Sequence, residues 1–328
     1  MIKIFIVLFL FFSFKNLISS EVKNHRTFVL GDIHGNKQHA LKLLELTGAF
    51  ENNDPINPKN LDSLQWKSAE TLGSKVTIIQ LGDILDRGSD DIEILNLFHR
   101  LRLTAKNAGH EMILVLGNHE ILNASGDFSY ASSQRLEVDN QSLLFGNKLA
   151  KEVLAKNVTV LIQNEIIYAH GGLSIEFLVN ELKFNHLHVQ KLSYTPTKLI
   201  DDYNLLLSSY LNDQSFYISS FLSLFTDKEK MDLIKSQSKW SPAWYRGYIT
   251  EIHKPEKKVC ENLKSVLAIF NAKKMVVAHT PQNSIGTTCD GLLLHTDTGA
   301  WNFNANNMIA EILHDQLDDP LRWFIIYQ

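Results

Sequence analysis

A chain of 328 residues, 45% hydrophobic and 10% aromatic, carries enough apolar material for a substantial core, which excludes a fibrous or disordered protein. Its 32 basic and 36 acidic side chains leave a formal net charge of −4, which excludes a blanket basic surface for nucleic acid or anionic lipid. Any recognition of anions must therefore be built locally, at a site.

The first predicted element is an apolar run from Ile4 to Leu10, preceded by Lys3 and extended by Phe11, Phe12 and Phe14 before Lys15. It falls short of the roughly 20 residues of a bilayer-spanning helix and fits the about 7–15 of a signal-peptide core. Residues 1–20 are expected to be a secretory signal, with a retained anchor as the alternative, and residues 21–328 a single globular domain. This places the protein in the secretory pathway, within an endomembrane lumen or secreted, with no membrane contact beyond that segment. Asn123-Ala-Ser, Asn140-Gln-Ser and Asn157-Val-Thr have the form of glycosylation acceptors, which matters only if the signal works.

Further along, short apolar runs end in small clusters of Gly, Asp, His or Asn. Thr27-Phe-Val-Leu runs into Gly31-Asp-Ile-His-Gly, Val76-Thr-Ile-Ile-Gln-Leu into Gly82-Asp-Ile-Leu-Asp-Arg-Gly, and Met112-Ile-Leu-Val-Leu into Gly117-Asn-His-Glu. A strand covered on both faces is apolar without alternation, so these read as buried strands. Between them, Gln38 to Leu46 and Asp91 to Leu103 carry apolar residues at helical spacing. Val158 to Ile162 and Ile166 to Ala169 read as a hairpin delivering His170-Gly-Gly. Met275 to Ala278 delivers His279-Thr-Pro, and Leu292-Leu-Leu-His leads into Asp297-Thr-Gly. The expected fold class is α/β, with a layered sheet core and helices outside, and with the polar clusters at the carboxyl ends of strands. Two segments fall outside the scheme: residues 47–75, expected to be a loop-rich insert, and residues 183–239, expected to be a mainly helical insert beside the active face.

Cys260 and Cys289 form no Cys-x-x-Cys pair, which argues against thiolate zinc. One disulfide in an oxidising lumen and two separate buried thiols are equally open readings.

Asp32 and His34 stand two apart on extended backbone, so both side chains point to one side and can grip one cation. Asp83 leaves its strand by the same Gly-Asp device and can bridge two cations; Asn118, His170 and His279 supply an amide oxygen and two imidazoles for the second. Oxygen and nitrogen donors without thiolate suit manganese, the first expectation, or iron or zinc, and not calcium. Two cations about 3.5–4 Å apart would activate a bridging hydroxide for in-line attack on phosphorus. Arg87, Arg246 and Asn118 are the candidate phosphate-binding residues. His119 is placed to protonate the leaving oxygen and Asp86 to orient its imidazole. Glu120 and Asp297 are expected to hold backbone and turns and are left out of the ligand set.

Gly31-Asp-Ile-His-Gly, Gly82-Asp-Ile-Leu-Asp-Arg-Gly, Gly117-Asn-His-Glu, His170-Gly-Gly and the late His279, in this order, resemble the motifs of the phosphoprotein phosphatases within the calcineurin-like metallophosphoesterases. They span residues 31–299, and each is weak alone but strong in series. The resemblance implies a four-layer fold, a central β-sandwich of mixed sheets flanked by helices, a dinuclear centre, and the residue roles given above. Gly291-Leu-Leu-Leu-His-Thr-Asp-Thr-Gly-Ala replaces the Ser-Ala-Pro-Asn-Tyr stretch of the eukaryotic Ser/Thr enzymes, while Trp244 to Gly247 resembles a segment of the Shewanella-like branch. The expected function is hydrolysis of phosphomonoesters on a phosphoprotein or phosphopeptide, at Ser/Thr or Tyr, with no assignment of regulatory subunits. A dinucleoside polyphosphate hydrolase is the alternative enzyme. A non-catalytic scaffold is the reading against which the complete ligand set argues.

Overall fold

A computed structural model describes residues 24–53, 60–184, 195–212, 225–235, 237–249, 256–300, 306–312 and 323–327. The apolar run at residues 4–14 lies outside them, and no helix among the described residues is long and apolar enough to cross a membrane.

Two five-stranded sheets dominate. The first has the order β12-β11-β1-β4-β5, from β1 (Asn24–Leu30), β4 (Ser74–Gln80), β5 (Glu111–Leu114), β11 (Met308–Ile312) and β12 (Trp323–Tyr327). The second has the order β6-β7-β8-β10-β9, from β6 (Val160–Gln163), β7 (Ile166–Ala169), β8 (Lys274–Val277), β9 (Gly286–Thr288) and β10 (Leu293–His295). β1, β4 and β5 are mutually parallel, with Leu30 opposite Gln80 and Gln80 opposite Leu114. β7, β8 and β10 are likewise parallel, so in each sheet three strands end at the same edge.

Alternation along these strands builds two separate apolar layers. Val29, Ile79, Tyr168, Val276 and Leu294 belong to one buried cluster, which joins residues of both sheets and is the filling of the sandwich. Their neighbours Phe28, Leu30, Ile78, Ile167, Met275, Val277 and Leu293 belong to a second cluster shared with helical residues, including Leu43, Phe98, Leu206 and Val266. Both faces of β1, β4, β7, β8 and β10 are therefore apolar, which is why the sequence shows runs and not alternation there. Sheets inside and helices outside give the four-layer mixed α/β sandwich.

The helices enter by local signals. Asn36 caps helix Lys37–Leu46 by accepting from the His39 amide at 3.0 Å, so the Asp-x-His-Gly turn hands directly to a helix. Asn204, on helix Pro196–Leu211, accepts from the Thr159 and Val160 amides and donates to the Val160 carbonyl, fixing that helix to β6. In the described part of residues 47–75 the chain carries more regular structure than the loop-rich expectation. β2 (Phe50–Asn52) pairs with β3 (Leu64–Trp66), and Trp66 donates its indole N–H to the Leu101 carbonyl at 2.8 Å. In the described part of residues 183–239 two helices stand, Pro196–Leu211 and Asp227–Lys235.

Cys260 and Cys289 form a disulfide with Cα atoms 5.3 Å apart, which decides between the two open readings. It ties helix Glu256–Ile269 to the turn between β9 and β10. Of the three glycosylation triplets, Asn123 and Asn157 are buried and Asn140 is partly exposed.

Candidate metal centre and catalytic site

The parallel strands deliver their polar clusters to one edge of the sandwich. Residues 31–35 follow β1, residues 81–88 follow β4 and residues 115–119 follow β5; residues 170–172, 278–279 and 296–299 arrive from the facing sheet. The turns are laced together by backbone. The Ile33 and His34 amides both donate to the Asp83 carbonyl at 2.9 Å, and the Gly35 amide donates to the Ile84 carbonyl at 2.9 Å. Gly117 packs so closely on Asp83 that a Cβ there would lie 2.2 Å from Asp83 Oδ1. Asp83, His34 and His279 hold left-handed backbone at φ of 54°, 49° and 67°, a strained state for side chains with a Cβ and one that clusters at functional sites.

Two groups of three side chains could each hold a metal ion: His34, Asp83 and His119, and Asp83, His170 and His279, with the ligand atoms of each group within 4.8 Å of one another. All five residues are buried, and Asp83 belongs to both groups. Asp32 stands beside them, its Oδ2 3.7 Å from His34 Nε2 and its Oδ1 4.0 Å from His170 Nδ1, and Asn118 Oδ1 is 3.1 Å from His170 Nε2. The structure thus brings Asp32, His34, Asp83, Asn118, His170 and His279 into one cluster.

The hydrogen bonds at the rim of the cluster fix what its interior presents. His34 Nδ1 faces the Leu85 carbonyl at 3.0 Å and His170 Nδ1 faces the Leu81 carbonyl at 2.7 Å. A carbonyl can only accept, so each ring carries a proton on Nδ1 and turns its Nε2 inward, the nitrogen that can ligate. Inside, His34 Nε2 meets Asp83 Oδ2 at 3.5 Å and His170 Nε2 meets the same oxygen at 3.2 Å. His279 Nε2 is buried with no hydrogen-bond partner among the described residues. Ring nitrogens converging on one shared carboxylate, beside a buried nitrogen with no partner, are a donor set that fits a divalent metal pair.

Charge follows the same pattern. Burial pushes the Asp32 carboxyl well above its usual range, and the neighbouring carboxylates of Asp297 and Asp83 add to it. Burial would also raise Asp83, but His170, His119 and His34 outweigh it and hold that carboxyl well below. His34 is depressed to about 4 and His279 to about 2, burial being the largest cause in both. For His119 burial works downward, yet Asp83 and Asp86 carry it above the ordinary imidazole range.

His119 Nδ1 lies 2.7 Å from Asp86 Oδ2, and its Nε2 is 3.9 Å from Asp83 Oδ2, at the edge of the cluster. The two arginines flank the opening from different elements. Arg87 is exposed, with its guanidinium 6.0 Å from the ring of Tyr130. Arg246 is half-buried and donates to the His279 carbonyl at 2.7 Å, in the field of Asp32, Asp83 and Asp297.

Glu120 holds backbone, as expected: it accepts from the Gly117, Asp83, Ile84 and Leu85 amides and so pins two metal-side turns together. Asp297 does hold its turn, accepting from the Gly299 amide, and its side chain is buried against the Asp32 carboxyl. Three residues carry more than the sequence reading gave them. Gln80, wholly buried, donates to the Gly31 and Gly82 carbonyls and accepts from the Gly82 amide, clamping two strand ends. Its signal was a lone amide in an apolar strand. Tyr130 sets its ring 5.0 Å from His119, and Arg135 pairs with Asp86; neither sits in a motif.

A sandwich whose parallel strand ends converge on a cluster fit for two metals is the arrangement of a metallophosphoesterase. Residues 25–283 match the family described as calcineurin-like phosphoesterase. The chain belongs to that family, whose sites are dinuclear, and it is a phosphoester hydrolase. It is 26% identical over 312 residues to Shewanella-like protein phosphatase 1 of Plasmodium berghei, covering 88% of this chain and 74% of the relative. It is 24% identical over 204 residues to Shewanella-like protein phosphatase 2 of Arabidopsis thaliana, covering 48% of each. Among solved structures, the cold-active protein-tyrosine phosphatase of a psychrophilic Shewanella species superposes with a TM-score of 0.62 at 22% identity, covering 94% of this chain and 85% of that one. That likeness concerns the fold.

Proposed function

We propose that this phosphoester hydrolase is a metal-dependent phosphatase acting on phosphomonoesters of phosphoproteins, and that manganese, iron or zinc, with manganese foremost, fills the site. The observation that carries the reading is the convergence of the His34 and His170 Nε2 atoms on Asp83, with an orphaned His279 Nε2, beside a buried His119–Asp86 pair. Asp32, His34 and Asp83 would hold one ion, and Asp83, Asn118, His170 and His279 the other. When bound, the two ions supply an activated water and offset the charge of the phosphoryl group.

The chain's own groups do the rest. Arg87 and Arg246 offer guanidinium forks to the phosphoryl oxygens, and the Asn118 amide can contribute an N–H to them. Asp86 fixes the tautomer of His119, leaving Nε2 to give its proton to the departing oxygen. Tyr130 is 49% exposed beside His119 and Arg87, and its flat ring suits an aromatic leaving group, which supports phosphotyrosine alongside phosphoserine and phosphothreonine. Relatives named as protein phosphatases support the phosphoprotein assignment.

The test is a panel of phosphotyrosine and phosphothreonine peptides against diadenosine tetraphosphate, run with the manganese-loaded enzyme. The reading expects kcat/KM on at least one peptide to exceed that on the dinucleotide; the reverse by orders of magnitude replaces it with the anhydride reading. We also propose entry into the secretory pathway, which the Cys260–Cys289 disulfide supports because such bonds persist in oxidising compartments. Localisation of tagged chains with and without residues 1–20 tests it: the same cytosolic distribution for both would reject it.

A further inference from the structure

Behind His119 and Asp86 lies a buried ionic cluster that the roles above leave unused. Arg135 follows helix Asn118–Ala124 in the chain and precedes helix Glu137–Leu143, and its side chain is 1% exposed. Its Nη2 donates to Asp86 Oδ1 at 2.6 Å and also pairs with Asp91 Oδ2. Its Nη1 donates to Asn123 Oδ1, with Asn140 Oδ1 at 3.4 Å. Asp91 also accepts the Asp86 backbone N–H at 2.9 Å. Asp86 Oδ2 meanwhile faces His119 Nδ1 at 2.7 Å and accepts from Asn123 Nδ2 at 2.9 Å.

Each oxygen of Asp86 therefore has its own partners, one side turned to Arg135 and the other to His119 and Asn123. Asn123 receives from Arg135 and gives to Asp86, so the guanidinium grips the carboxylate both directly and through the amide. The backbone here needs holding, since Asp86 and Arg87 both adopt left-handed φ, at 71° and 68°. Arg135 is also the one guanidinium that two buried carboxyl groups share among the described residues here, Asp86 and Asp91 both meeting its Nη2. A carboxylate stripped of such a partner turns or recruits another donor.

We propose that Arg135 is a positioning residue for proton delivery: through Asp86 and Asn123 it fixes the His119 ring so that Nε2 stays aimed at the leaving oxygen. This rests on the reading of His119 as the acid. It is distinct from a purely structural role for Arg135, which would weaken every substrate alike or weaken the fold.

Leaving-group dependence separates the two. A phenol oxygen is more basic than a p-nitrophenol oxygen and depends more on a well-placed acid, so misaiming His119 must cost phenyl phosphate more. In manganese-loaded enzyme, Arg135→Gln is expected to lower kcat on phenyl phosphate by about 100-fold and on p-nitrophenyl phosphate by less than about fivefold, with both KM values within about threefold. Two metals per chain should remain, and Arg135→Lys should recover about tenfold of the phenyl phosphate loss. If Arg135→Gln does not fold, the charge-balanced pair Asp91→Asn/Arg135→Gln, together with Arg135→Lys, carries the test with the same expected bias. Equal losses on both substrates, a change in KM alone, loss of metal, or unfolding of every variant would each overturn the proposal. His119→Asn is measured alongside. Absence of the bias there defeats the acid reading and the proposal with it, whereas bias in His119→Asn but not in the Arg135 variants defeats the proposal alone.

Discussion

His119 is buried, which by itself would strip its proton, yet Asp83 and Asp86 carry it above the ordinary imidazole range. Its ring abuts His34 and Asp83, and the proposed ligand set does not include it, so its loss should spare the ions. His119→Asn is expected to lower kcat by about 10²–10⁴-fold while metal content stays unchanged; near-normal turnover by steady-state assay would remove His119 from the mechanism. His34 and His279 behave oppositely. With metals removed by chelation, they hold their folded values near 4 and 2, whereas the unfolded chain takes up those protons near 6.5. Below that value the unfolded state binds more protons at these positions, so the two histidines lower stability as pH falls, by about 2 kcal/mol each at pH 5, while the raised Asp32 and His119 act the other way. Urea denaturation of chelated wild type and chelated His279→Asn at pH 7.5 and pH 5.0 isolates the histidine contribution: the wild type is expected to lose more stability than the variant between the two values, and equal losses would count against it. The metal-side residues were legible because carboxylate, amide and imidazole recur in short motifs after apolar runs. Gln80 and Arg135 were not: each is a single residue whose partners are set by the fold, Arg135 meeting Asp86 across 49 positions of chain.

At the scale of elements, strands were readable where two conditions met, an apolar run and a polar cluster at its end. β1, β4, β5, β7 and β8 satisfy both. β9 is three residues long, and no described residue of β11 or β12 reaches the site, so they had no second signal. The hairpin within residues 47–75 was hidden because its order comes from contacts made elsewhere, with Trp66 packed on Phe50 and bonded to Leu101. The disulfide was undecidable from two cysteines alone; their placement on helix Glu256–Ile269 and on the turn before β10 is a product of topology. It closes a loop of sequence separation 29, for which the chain-entropy estimate is about 3–4 kcal/mol. Cys260→Ser/Cys289→Ser is therefore expected to lower the thermal midpoint by several degrees while retaining metal; an unchanged midpoint in a calorimetric scan would deny the bridge a stabilising role.

At the scale of the whole molecule, function depends on two sheets meeting edge-aligned. One sheet brings Asp32, His34, Asp83 and Asn118; the other brings His170 and His279; neither is a site alone. The sandwich filling of Val29, Ile79, Tyr168 and Val276 sets how closely the two halves approach, and His170 crosses the gap to the Leu81 carbonyl. The overall architecture was legible because runs without alternation imply strands covered on both sides. The pairing of the two sheets, and with it the place of each helix, came only from three dimensions. The central claim is that this junction holds two divalent ions shared through Asp83. It is tested most directly by metal quantification on protein saturated with manganese and then desalted: two ions per chain in the wild type, and fewer in Asp83→Asn, are predicted. A wild-type chain that keeps at most one ion, or an Asp83→Asn chain that keeps both, would contradict it.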